Sequence, residues 1–346
     1  MATYREVKGY SIKSVSSDPA NIKEGQIWYN SSAKKIKVAP TVSSWSAGGN
    51  MNDVSSNSAL AMAGTQNAQV QAGGANPSPG LTVEEYDGSS WTTATNMPER
   101  FENGTGGGTQ TAGLFCGGDV PASEAGGPAP AAQTESFEYD GTNWTAGGDL
   151  NTDRTNGGGC GTQTAGLTCG GRQISPSNDP GSVTANTEEY NGSSWTESGD
   201  MSTGRFDTSS MCGTQTAAVF FGGRPKDSGS GLTNVEEYNG TSWTAGEAFP
   251  EGRVRANASG TQTLAIVFNG QGTAGSQPTN KTTTFSYDGT DFSADAALGT
   301  ARYAAAGGGG TKTAALNAGG YAPGTAVNTS EEYSSAATVR TVDTSS

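Results

Sequence analysis

Gly161-Thr162-Gln163-Thr164-Ala165 is the stretch on which the reading of this 346-residue chain turns, because the chain repeats it. It recurs as Gly64-Thr65-Gln66-Asn67-Ala68, Gly108-Thr109-Gln110-Thr111-Ala112 and Gly213-Thr214-Gln215-Thr216-Ala217. Two degraded copies follow, Gly260-Thr261-Gln262-Thr263-Leu264 and Gly310-Thr311-Lys312-Thr313-Ala314, and successive copies start 44 to 53 residues apart. Small residues precede each copy. Apolar residues, a Gly-Gly pair, a loop, Glu-Glu-Tyr or a Phe-containing variant, Asp-Gly or Asn-Gly, and a Trp follow it. A unit this short cannot bury a core alone and must stack on its neighbours.

Each copy reads as four strands. The first is the small-residue run, as at residues 156–160, and the second is the apolar run, as at residues 217–223. The third carries Tyr86, Tyr139, Tyr190, Tyr238, Tyr287 or Tyr333; the fourth carries Trp91, Trp144, Trp195, Trp243 or Phe292. The link between third and fourth opens with Asp-Gly or Asn-Gly, the strongest short hairpin signal. Gly and Ala in the first strand suit the position nearest a crowded axis. The sixth copy ends at Tyr333 without a Trp, whereas the N-terminal stretch around Trp45 matches the end of a copy with no beginning. Trp45 and Tyr333 are therefore expected side by side, the N-terminal strand closing a six-bladed, all-β propeller.

Three regions follow: an anchor segment at residues 1–41, the propeller at 42–333, and a tail at 334–346. Within the first, residues 25–30 and 34–38 read as a hairpin, with Ile27, Trp28, Tyr29, Ile36 and Val38 as the anchoring side chains. The hairpin is too short for a core of its own and needs a surface to settle on.

Composition narrows the function. A net charge of −14 argues against nucleic acid or an anionic membrane as partner. No apolar run is long enough to span a bilayer, and the N-terminus lacks a signal-peptide core, so cytoplasmic synthesis is expected. The chain has no His, which removes the usual general base and the commonest metal ligand. Cys116, Cys160, Cys169 and Cys212 occupy repeat-equivalent positions and read as small buried apolar residues rather than metal ligands. Adjacent glutamates such as Glu188-Glu189 point to opposite faces of a strand and cannot form an acid–base couple. The Gly clusters lack the Lys-Ser/Thr of a phosphate loop, and the Asp-Gly turns lack the alternating acids of a Ca²⁺ loop. No catalytic residue, cofactor or metal is expected. Arg100, Arg154, Arg205, Arg253 and Arg302, with Ser55 at the first position, recur in the links between blades and are expected to pair with the third-strand Glu.

Gly-Gly, a Tyr, a Trp about five residues on and a link such as Met97-Pro98-Glu99-Arg100 resemble the kelch motif across residues 42–333. The short Gly-heavy first strand and the Gly-Thr-Gln-Thr-Ala turn depart from eukaryotic kelch adaptors. With Asn/Asp-Gly-Ser/Thr-Ser-Trp they look like marine bacteriophage proteins, and Gly25-Gln26-Ile27-Trp28-Tyr29-Asn30-Ser31 is similar to segments of phage virion proteins. The resemblance implies a virion component assembled in the host cytoplasm, with tail, fibre or capsid proteins as partners. The connections between second and third strands vary most, so they are expected to display one face of the disc, opposite the face on which both termini lie. A host-surface glycan is the expected ligand, with Arg224 and Tyr321 as contacts. A purely structural decoration protein, a propeller glycosidase and a homo-oligomer stay open as alternatives.

Overall fold

The computed structural model describes residues 12–54, 62–74, 80–120, 131–175, 178–207, 210–225, 230–274, 277–322 and 325–342. It divides into two compact units, Trp45–Tyr333 and a smaller one of Met1–Ser44 with Ser334–Ser346. The division falls inside the strands Thr41–Ala47 and Ser330–Ala337.

Among the described residues no helix forms, and the larger unit is a propeller-like set of four-stranded sheets. In the third sheet the order is Gly158–Thr162, Ala165–Cys169, Thr187–Tyr190, Trp195–Ser198, each strand antiparallel to the next. Five further sheets repeat this order, one around each remaining copy of the repeat. In the sixth, Ala306–Thr311, Ala314–Ala318 and Ser330–Ala337 are completed by Thr41–Ala47. There the Trp45 and Tyr333 rings lie 5.2 Å apart. Both are far apart in sequence and adjacent in space.

Local chemistry explains the elements. Gly161 holds φ at +101°, and a Cβ there would come within 2.3 Å of Ala165 O, so the first turn demands glycine. A Cβ on Gly159 would strike Thr105 Oγ1 of the preceding sheet at 2.3 Å, which is why the first strands are built of such small residues. First strands of successive sheets lie against one another, and that of the sixth lies against that of the first. Residues of all six line one cavity of about 150 Å³, among them Gly64, Gly107, Cys160, Cys212, Gly260 and Gly310. At the third-to-fourth link Asp87 Oδ1 accepts from the N–H groups of Ser89 and Ser90, both at 2.8 Å, and Gly88 takes φ +92°.

The repeated Gln joins one sheet to the one before. Gln163 Nε2 donates to Gly113 O at 3.2 Å and Tyr139 O at 3.1 Å, carbonyls of the second and third strands of the preceding sheet. Gln66, Gln110, Gln215 and Gln262 do the same, and Gln66 reaches Ala315 O and Tyr333 O of the sixth sheet. The tyrosines also cross. Tyr139 donates to Glu85 at 2.9 Å, Tyr190 to Glu138 at 2.7 Å, Tyr238 to Glu189 and Tyr287 to Glu237 at 2.6 Å, and Tyr86 to Glu332. Burial, reinforced by these carboxylates, pushes the Tyr190 and Tyr238 phenols up to about 12, so they remain donors. Each recurrent side chain is a fastener.

Among its described residues the smaller unit has one sheet. Ile27–Asn30 runs parallel to Lys13–Val15 and antiparallel to Lys35–Val38, which in turn pairs with Arg340–Thr341. The residues read in sequence as a free tail thus contribute a strand beside the hairpin.

Removing one fastener should cost its two carbonyls their donor. Gln163→Ala is expected to lower stability by about 1–3 kcal/mol in urea titration. Lys312 stands where the sixth copy lacks Gln, so Lys312→Gln should raise the melting temperature.

Candidate functional site

The link arginines were expected to meet third-strand glutamates, and three of them do. Arg154 reaches Glu188 at 2.7 Å, Arg205 reaches Glu236 at 3.0 Å and Arg302 reaches Glu331 at 3.0 Å, all buried. Each Arg leaves the link behind one sheet and enters the next. Arg154 also donates to Gly170 O and Asn186 O, both at 2.9 Å, so it holds both ends of the second-to-third connection. Arg100 and Arg253 depart from the expectation. Their target positions are Phe137 and Phe285, and the guanidiniums turn instead to Glu102 and Glu251, two residues away in their own links. Arg253 then lies over the Phe249 and Phe285 rings at 5.2 and 5.5 Å. Glu84 has Ser55 in the corresponding link, a residue outside the described ones. It accepts from the N–H groups of Asn52 at 3.1 Å and Asp53 at 2.8 Å, and burial raises its pKa.

The second glutamate of each pair faces the other way and takes the next tyrosine. The third-strand glutamates are thus held in pairs, the first with Arg where it is present and the second with Tyr. Among the described residues no three His, Cys, Asp or Glu gather as a metal-binding group would. Burial pushes the Cys116, Cys169 and Cys212 thiols up to about 12 and the Cys160 thiol well above its usual value.

The residues proposed to face a ligand are partly engaged. Arg224 pairs with Asp207 at 2.6 Å and lies 4.6 Å over the Phe206 ring, with its side chain 30% exposed. Tyr321 stacks on Tyr303 with centroids 5.3 Å apart and an interplanar angle of 17°. Both follow the Gly-Gly pair of their sheets, and so do Asp119 and Arg172. Sequence reasoning missed Arg255, Phe206 and Tyr303, which sit one or two residues beyond the link arginines in positions that differ from copy to copy. That difference was the available signal.

The side chains expected to anchor the chain also divide. Trp28 is fully buried, its Nε1 donating to Asp18 at 2.9 Å, which excludes it as a contact for another protein. Asn30 binds the same carboxylate at 2.8 Å, and these two bonds hold the Asp18 carboxyl below its usual range. Ile27 is 50% exposed, while Tyr29, Ile36 and Val38 are half-buried.

Two outcomes test these pairings. Arg154→Met leaves Glu188 buried without its cation and should cost about 3–5 kcal/mol in chemical unfolding. Arg100→Met, whose partner keeps contact with water, should cost less. The second concerns Asp119, whose carboxyl burial pushes up to about 6 against hydrogen bonds from Asn103 and Thr155. A raised carboxyl pKa means the fold prefers the protonated form, so its contribution is fully present below 3.8 and lost as pH rises through about 6. The melting temperature of Asp119→Asn relative to the parent should therefore climb between pH 4 and pH 8.

No family model matches the chain, and no curated protein does. A solved structure described as "Structure of YjhT" superposes with a TM-score of 0.67, covering 84% of this chain and 99% of that one at 13% identity. The likeness is one of fold, and it supports the propeller-like arrangement.

Proposed function

We propose that the larger unit is a six-bladed, kelch-type β-propeller closed by the strand Thr41–Ala47. On this reading the chain is a non-enzymatic virion protein, anchored through its N-terminal segment to tail, fibre or capsid proteins. It displays the variable connections to a glycan on the host surface. The observation that carries the reading is a division of labour. The recurrent Gln and Tyr join neighbouring sheets, the recurrent Asp/Asn-Gly pairs shape the turns, and the residues that differ collect in the links and second-to-third connections. A scaffold repeated for stability with variation confined to one set of loops suits display. The number of blades is supported by six first strands around one cavity, the sixth against the first.

Anchoring is supported by where apolar surface is left. Among the described residues seven large apolar side chains are exposed, and five belong to the smaller unit: Ile12, Ile27, Val42, Val339 and Val342. Such surface suits a docking contact with another protein. The resemblance of residues 25–31 to phage virion segments points the same way.

The test is adsorption. Labelled protein should bind host cells saturably, periodate treatment of the cells should abolish binding, and virions lacking the protein should adsorb more slowly. Adsorption at the parental rate would make the protein a decoration, and release of reducing sugar from host envelopes would make it an enzyme.

A further inference from the structure

We infer that the one-off residues Phe206, Arg224, Arg255, Tyr303 and Tyr321 form a binding site for an anionic glycan, a sugar carrying a carboxylate or sulfate. The inference rests on the display reading above and names the ligand class of that face.

The site grows out of the links between blades. After each link arginine the backbone makes one left-handed step, at Asn103, Asn156, Asp207, Arg255 and Ala304, with φ between 48° and 57°. These residues join along their backbones: Asn156 N–H donates to Asn103 O and Arg255 N–H to Asp207 O, both at 2.7 Å. The preceding residue of each link bridges to the residue after a Gly-Gly or Asn-Gly pair, Phe206 to Arg224 and Tyr303 to Tyr321. Equivalent positions are thus drawn together around the same end of the first strands.

That end is polarised. On the side of the second sheet it carries Asp119, held by Asn103 at 2.8 Å and Thr155 at 3.1 Å. On the opposite side it is cationic and aromatic, although the chain as a whole carries −14. Arg224 and Arg255 share a single carboxylate, Asp207, at 2.6 and 3.2 Å. Two cations on one anion leave a positive charge unbalanced. Arg255 meets Asp207 through Nε, and among the described residues its terminal nitrogens have no carboxylate partner. Its side chain is 32% exposed and lies 5.8 Å from the Tyr303 ring, which stacks on Tyr321. Terminal guanidinium nitrogens form a fork that matches a carboxylate or sulfate. Half-buried tyrosine rings beside it offer a flat apolar face to the C–H side of a sugar.

Arg255 is also the wrong residue for its backbone. Asn and Asp tolerate a left-handed φ, whereas a long side chain there is uncommon. The equivalent positions use Asn, Asn, Asp and Ala, so the link itself does not call for arginine. Residues held against local preference concentrate where a ligand is met.

The experiment uses the full chain, immobilised and exposed to oligogalacturonate, sulfated dextran and neutral dextran. Retention of oligogalacturonate assigns the site to carboxylated sugars and retention of sulfated dextran alone to sulfated ones; neutral dextran should pass. Arg255→Asn, which restores the residue the backbone prefers, should weaken the retained ligand at least about tenfold without lowering the melting temperature. Tyr321→Ala should weaken it further. Equal retention of neutral dextran, no retention of either acidic polymer, or unchanged binding by Arg255→Asn would overturn the site. Arg255→Asn protein that still binds host cells as the parent does would overturn this site while leaving host attachment standing. Arg255-dependent binding of oligogalacturonate by a protein that ignores host cells would leave the site and remove the attachment.

Discussion

An amide side chain donating into two carbonyls of the neighbouring sheet is the contact on which the larger unit depends. A sheet whose outer strand is three or four residues long cannot bury both faces, so its stability resides in the seams. At each seam the backbone of the second and third strands presents carbonyl oxygens with one acceptor site left over. Gln163 supplies both N–H protons of its amide to such a pair, Gly113 O and Tyr139 O. Among neutral side chains only the amides of Gln and Asn offer two donors from one atom, and Gln has the longer reach. That is the physical reason five of the six copies keep Gln at the tip of the turn. The seam between sixth and first sheets is made the same way, by Gln66, Tyr86 and Trp91, so the junction of the two chain ends is no weaker in kind.

Substitutions within the repeats occur in compensated pairs, which is strong support for reading these contacts as energetic units. Trp195 and Trp243 donate at 2.9 Å to Ser136 and Thr187, the first residues of the third strands in the sheets before them. Trp45 reaches Thr284 at 3.2 Å in the same manner. Where the donor is lost, at Phe292, the position facing it is Val235, and no hydroxyl is left without a partner. Trp144 faces Val83 and turns its N–H to Thr95 O instead. The fifth sheet has Ser286 where others have the second Glu. Tyr333 there finds Asp295 at 2.7 Å, one strand further out. The Arg–Glu pairs obey the same rule, with Phe137 and Phe285 matched by Glu102 and Glu251. Burying an unpaired polar group costs more than exchanging both partners, so the pairs change together.

Much of the larger unit's strand plan was legible because its signals are local: small residues before a glycine turn, Asp-Gly or Asn-Gly before the outer strand, Tyr and Trp at fixed offsets. The adjacency of Trp45 and Tyr333 was legible too, since a fragment with no beginning at one end matched a missing piece at the other. What could not be read was which side chain crosses a seam to which. Glu188 and Glu189 are neighbours on one strand, yet one meets Arg154 and the other Tyr238. Opposite faces were predictable from strand geometry; the identities of partners some fifty residues away were not. Arg340–Thr341 escaped notice because a two-residue strand has no periodicity to detect. Trp28 was misjudged because an apolar run beside a turn looks the same whether its indole faces a partner or its own Asp18.

The seams also decide where variation can collect. First strand, turn, third strand and link arginine each carry a contact that the next sheet needs, and a change there must be answered elsewhere. Beyond the backbone bridge of its first residue to the link, the connection after Gly-Gly varies in length, from the two-residue strands at Tyr321–Ala322 and Thr325–Ala326 to the longer pair Arg172–Ser175 and Asn178–Val183. The left-handed residue of each link does its joining through the backbone, as Asn156 does to Asn103 and Arg255 to Asp207. Its side chain pairs differently from copy to copy, Asn103 with Asp119 and Asp207 with Arg224 and Arg255. A repeat protein that must hold five or six identical seams has few such positions, and they lie close together around one end of the first strands. Sequence can vary there without loosening any sheet, so that end, rather than the residues that recur from sheet to sheet, is where the copies differ.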